Sequence, residues 1–173
     1  DPIVGATLEG LSAGTTTYAS LIQNHGFPFS PSVGDYAGTD QIYVGSAQSG
    51  NHDGYSSFPG RIAGPQVITL DYSALIPSGE QIATLTLGIA ADDFQFSPFG
   101  QPYSASINGV ADSALTSALN GFNQTGPRVQ FFTIGIDPVA LSASHVLTLA
   151  IDQGGTGGDG WAIDFLSVGV TTS

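Results

Sequence analysis

The chain has 173 residues, 41% hydrophobic and only 9% charged, where an ordinary soluble domain carries about 25% charged residues. Fourteen carboxylates face two arginines, Arg61 and Arg128, and no lysine, for a formal net charge of −12. That balance excludes nucleic acid as an expected partner, because phosphate contacts need clustered Lys and Arg, and it disfavours anionic membrane surfaces.

Twenty-four glycines and ten prolines punctuate the chain, and the helix formers Glu, Lys, Arg and Met are nearly missing. Coiled coils and helical bundles are thereby ruled out, and short strands joined by tight turns are expected. The length suits one domain, residues 1–173, with a core that needs no disulfide. No cysteine is present, so disulfides, iron–sulfur clusters and thiolate zinc sites are excluded. No 18-residue apolar stretch occurs, so membrane insertion is not expected. A start at Asp1-Pro2 fits a secreted chain after signal removal or an excised module. The expected location is extracellular or cell-surface.

Taken in chain order, Ile3, Val4, Ala6 and Leu8 form a first short strand, which can serve as an edge or exchanged strand within residues 1–9. Residues 10–40 and 45–65 are rich in Gly, Ser and Pro and are expected as long ordered loops, with a strand at Gln41–Val44 between them. Gln66–Tyr72 and Ile82–Ala90 alternate apolar and polar, the latter with Leu85, Leu87 and Ile89 on one face. Ser104–Ile107, Asn108-Gly109 and Val110 read as a two-residue hairpin. Ala111–Leu119 has room for a single helical turn. Val129–Ile136 is the next strand, with Phe131 and Phe132 on opposite faces. His145–Ile151 follows with Leu147, Leu149 and Ile151 aligned. The last strand, Trp161–Val170, is apolar at both parities, which implies a central strand covered on both sides. About eight or more strands in one all-β domain point to a β-sandwich of jelly-roll type.

The sharpest local motif is Gly154-Gly155-Thr156-Gly157-Gly158-Asp159-Gly160-Trp161-Ala162, which fits one copy of the calcium-binding β-roll repeat. A single copy cannot build that roll, so a turn feeding the last strand is the plainer reading. Asp159 remains a candidate calcium ligand, as do Asp92 and Asp93 at a strand end, since a hard cation takes several loop oxygens. The same aspartates also suit solvated turns. Asn51, His52 and Asp53 form another oxygen-rich loop. Tyr55, Tyr103 and Trp161 are candidates for stacking on sugars, because rings with a polar handle suit half-wet sites; Trp161 suits a core position equally well.

Catalytic signatures are missing. Glu9 and Glu80 are far apart in sequence, and His25, His52 and His145 follow no metal-ligand spacing. No nucleophile elbow or P-loop occurs. Asn123-Gln124-Thr125 is an N-glycosylation sequon, which matters only in a glycosylating cell.

The stretch Leu147–Asp152, the glycine loop and Asp159–Phe165, together with Ala83–Asp93 and Ser106–Val110, resembles bacterial secreted jelly-roll domains similar to carbohydrate-binding modules. The resemblance spans the second half of the chain. It implies a jelly roll, with glycan or calcium as the associated ligands.

Two functions follow as expectations. One is a non-catalytic structural subunit of a surface fibre or layer, whose partner is a homo-oligomer or polymer of itself. A subunit that buries its surface against copies of itself avoids charged side chains, and the strand Ile3–Leu8 can add to a neighbour's sheet. The other is a carbohydrate-binding module stabilised by calcium, whose partner is a glycan.

Overall fold

A computed structural model describes residues 7–12, 15–22, 43–47, 62–96, 100–124, 130–137, 143–155 and 160–173. For residues 7–12 and 15–22, and for Tyr43, Val44, Ile62, Asp164 and Phe165, the description is of backbone alone. The strands are β1 (Thr7–Ser12), β2 (Thr15–Ile22), β3 (Tyr43–Ser46), β4 (Ile62–Ala63), β5 (Gln66–Asp71), β6 (Ile82–Asp92), β7 (Tyr103–Ile107), β8 (Val110–Ala111), β9 (Gln130–Ile136), β10 (Val146–Gln153) and β11 (Gly160–Thr172). One helix, α1 (Ser113–Asn120), lies between β8 and β9.

The strands form a seven-stranded and a four-stranded sheet. In the larger, β11 is the spine: β6 runs along one side of it, and β2 and β3 share the other. β9 flanks β6, and β1 flanks β2. The smaller sheet has the order β5-β10-β7-β8. The inner faces of both sheets supply one apolar cluster: Ile68, Leu70, Leu147, Leu149 and Ile151 from the smaller sheet, Leu85, Leu87, Ile89, Val168 and Val170 from the larger. This is the all-β sandwich that the alternating patterns imply, since each sheet must bury its apolar face against another layer.

β11 corrects one reading. Its apolar residues change parity midway, which in a regular strand means two covered faces. The pairing with β6 instead skips a residue between Ile163 and Phe165. One extra residue in the bulge flips the alternation, so Trp161, Ile163, Leu166, Val168 and Val170 all enter the same core. The strand is central, as expected, and these five residues serve one face, while Ala162 is buried on the other.

Other expectations shift as well. Residues 15–22 are a strand and not a loop: their Thr-rich sequence lacks a clean alternation, yet β2 pairs with β11 from Leu166 to Thr172, and β-branched residues suit a strand. The single turn expected in Ala111–Leu119 is a two-turn helix, because Asp112 caps it: its Oδ1 accepts from the Leu115 N–H at 2.8 Å. Leu115 and Leu119, four apart, are its buried face. The Asn108-Gly109 hairpin is present, with both residues at positive φ (50° and 79°) as a type I′ turn requires.

Candidate functional site

At the end of the sandwich where β6 and β10 finish and β7 and β11 begin, polar side chains collect inside the fold. Asp92 and Asp93 close β6, only 0% and 2% exposed, and Asp93 adopts a left-handed φ of 59°. Gln95, Gln101, Gln124 and Gln153 are buried beside them. Gln124 holds the chain after β6 like an extra strand: its Oε1 accepts from the Phe94 N–H at 2.8 Å, and its Nε2 donates to the Ala91 carbonyl at 2.9 Å. Gln153 Nε2 donates to the Gln101 Oε1 and to the Tyr103 hydroxyl, while its Oε1 accepts from the Ala47 N–H. The Tyr103 hydroxyl also accepts from the Gln95 N–H at 3.1 Å, and the Gln95 amide donates to Asp93.

Glutamine suits this work because its amide carries both a donor and an acceptor, so one side chain satisfies an N–H and a C=O of irregular backbone. Buried polar groups without such partners would cost on the order of 1–3 kcal/mol each. The network therefore fixes the strand ends in place, and its glutamines and Tyr103 are buried.

Two stacking candidates are corrected by this geometry. Trp161 is 1% exposed: its ring packs on Phe94 with centroids 5.2 Å apart, and it lies against Gly45, where any Cβ would overlap the indole. Tyr103 is equally buried, its ring 4.7 Å from that of Phe94. A sugar needs an open ring face, and neither offers one. Tyr55 lies outside the described residues. Asp92 and Asp93 are both buried and not in a solvated turn, and Asp159 lies outside the described residues. Among the described residues no group of three or more His, Asp or Glu side chains stands ready for a metal. Of the terminal strand, Leu8 pairs with Tyr18 of its own chain through β1 and β2; Ile3, Val4 and Ala6 lie outside the described residues.

The exposed feature that sequence reading missed is the outer face of the larger sheet. The register sets Thr84 beside Thr171, Thr86 between Gly169 and Gly135, and Gly88 between Ser167 and Thr133. The ring of Phe131, 53% exposed, lies over Gly88, a position where a Cβ would collide with both Phe131 and Ser167. Between Phe131 and Gly135 its described exposed residues carry no charge; Asp137, two beyond Gly135, is an exposed carboxylate at its margin. Towards the Gly160 end the face continues as Ala90, Ala162 and Asp92, all buried. The alternating Thr and Gly of β6, β9 and β11 were the available signal, but facing positions become visible only with the register.

Two features mark the other end of the molecule. The Asp71 carboxylate accepts from the hydroxyl and the N–H of Ser73, which hold it below the usual carboxylate range, with a smaller contribution from His145. Burial pushes the phenol of Tyr72 up, and its hydroxyl has no hydrogen-bond partner among the described residues. No helix among the described residues is long and apolar enough to cross a membrane.

No protein-family model matches the chain, and no curated protein matches it. Among solved structures it is similar to dimeric latent PorU from Porphyromonas gingivalis, at 17% identity and a TM-score of 0.46. The match covers 98% of this chain and 14% of that one. A likeness at that level carries no argument about function.

Proposed function

We propose that the chain is a non-catalytic structural subunit of an extracellular assembly, built by contacts between copies of itself. The Thr, Ser and Gly face of the larger sheet carries this reading. A chain with a net charge of −12 repels its own copies at most surfaces. It approaches them most readily across a patch whose only described exposed carboxylate, Asp137, lies at the margin, and interface cores are depleted of charge in the same way. Burial of Tyr103 and Trp161 counts against a glycan stacking on those two rings.

The test places carboxylates on that face. The variant Thr86→Glu with Thr133→Glu changes two exposed side chains and leaves the core untouched. Light scattering and electron microscopy of the purified proteins should show multimers for the parent chain and monomers for the variant. Multimers that persist unchanged in the variant would reject this face as the contact. Tight binding of the parent chain to a soluble polysaccharide, with no self-association, would favour the glycan-binding alternative.

A further inference from the structure

The two edges of the smaller sheet are treated differently. At one, β8 pairs only with Ser106 and Ile107 of β7, and α1 takes the place of a strand along the rest of β7. Asn120 Oδ1 accepts from the Tyr103 N–H and its Nδ2 donates to the Tyr103 carbonyl, both at 2.8 Å. The Thr116 hydroxyl accepts from the Ala105 N–H, and the Asp112 N–H donates to the Ala105 carbonyl, both at 3.0 Å. Among the described residues the β5 edge has no such cover.

Which groups β5 offers follows from the ladder. In an antiparallel pair, the N–H and C=O of one residue point to the same neighbour, and successive residues alternate. Thr148 exchanges bonds with Asn108 on the β7 side of β10: its N–H donates to Asn108 Oδ1 at 2.7 Å and its carbonyl accepts from the Asn108 N–H at 2.8 Å. Leu147 and Leu149 therefore point at β5, where they pair with Leu70 and Ile68. The Tyr72 N–H donating to the His145 carbonyl fits the same parity. Val67, Thr69 and Asp71 thus aim their N–H and C=O outward, and no described residue pairs with them. Their side chains are exposed, Val67 at 60%. The strand has no proline, no lysine and no bulge, and its one charge is Asp71 at its end. β9, also at a sheet margin, is different: a cavity of about 390 Å³ separates it from β8 and α1, lined by Gly135 and Asp137 on one side and Val110 and Asp112 on the other.

We propose that β5 is a strand-pairing edge whose partner is β5 of a second copy, joined across a two-fold axis at Thr69. The inference rests on the self-assembly reading above and names one contact within it. A two-fold antiparallel pair must centre on one residue facing itself. Centred on Thr69, the pairing sets Ile68 against the partner's Leu70, so both apolar inner faces join, and Val67 against the partner's Asp71. The outward N–H and C=O groups of Val67, Thr69 and Asp71 all find partners in this register. It also suits the charge. The two Asp71 carboxylates fall four residues apart along the strands, about 13 Å, beyond the ~8 Å screening length of physiological salt. A pairing centred on Asp71 would place them face to face.

The cysteine-free chain makes the register measurable. Facing residues that share both bonds have Cα atoms about 5.5 Å apart, within disulfide range. Under mild oxidation Thr69→Cys should form a covalent dimer at a rate on the order of tenfold or more above Val67→Cys or Thr133→Cys, because only a thiol at the two-fold axis meets its own copy at high effective concentration. Independently, Val67→Lys should raise the dimer fraction and Val67→Glu lower it, since each faces the partner's Asp71. A Thr69→Cys chain that stays monomeric, or crosslinks no faster than Thr133→Cys, overturns the proposal. So does an equal response to Lys and Glu at position 67. If Thr69→Cys fails while multimers sensitive to Thr86→Glu and Thr133→Glu remain, the edge pairing falls and the self-assembly reading stands. Monomers throughout reject both.

Discussion

Single side chains in this molecule are settled by whether their polar atoms find partners. Gln124 and Gln153 do, and each ties irregular backbone at the strand ends to the core. Tyr72 does not: its ring is buried and lies 5.9 Å from His145, while its hydroxyl stays without a bond among the described residues. A buried hydroxyl without a partner carries an uncompensated desolvation penalty. Tyr72→Phe should therefore leave stability unchanged or raise it by up to about 1 kcal/mol in urea unfolding. A loss of several kcal/mol would mean that the hydroxyl has a partner. Trp161 has an unbonded indole N–H in the same sense, but its ring fills the space above Gly45 and beside Phe94. Packing holds it there, which is why an aromatic that could have served a ligand serves the core.

At the scale of elements, α1 is the informative case. Eight residues of helix seal the margin of β7 with side-chain amides and hydroxyls, doing for that edge what another strand does elsewhere. Asn120 is the principal contact because one amide satisfies both the N–H and the C=O of Tyr103. Asn120→Ala should cost about 2–3 kcal/mol, the sum of two half-buried backbone groups left unpaired, read as a fall in the denaturation midpoint with an unchanged slope. A loss below about 0.5 kcal/mol, the usual surface range, would show that water replaces the amide without difficulty.

Strand by strand, periodicity foretold the core. Leu85, Leu87 and Ile89, and Leu147, Leu149 and Ile151, are buried as their alternation implies, and Phe131 and Phe132 do take opposite faces, one exposed and one packed on the core. Local patterns failed where long-range pairing decided the outcome. β2 has no apolar alternation and becomes a strand through its pairing with β11, and the bulge near Asp164 is invisible without the partner strand. The helix was legible after all: Asp112 as cap, Leu115 and Leu119 four apart, and Gly121 after the last turn are its ordinary signals. The proposed contacts were the least legible part. The Thr and Gly face depends on the register of three strands, and the open β5 edge depends on what fails to pair with it.

For the whole molecule the governing quantity is charge. Two arginines cannot neutralise fourteen carboxylates, so copies of the chain repel each other at long range, and in the proposed assembly the Thr, Ser and Gly face and the β5 edge supply the short-range attraction. The balance between them is set by screening: the Debye length falls from about 30 Å at 0.01 M salt to about 8 Å at 0.15 M. Self-association should thus grow with ionic strength, the reverse of an assembly held by ion pairs. The direct measurement is sedimentation of the unmodified chain over a wide range of protein concentration at both salt levels. The account predicts monomers giving way to dimers and larger species as concentration and salt rise together. A single monomeric species under every condition would contradict it.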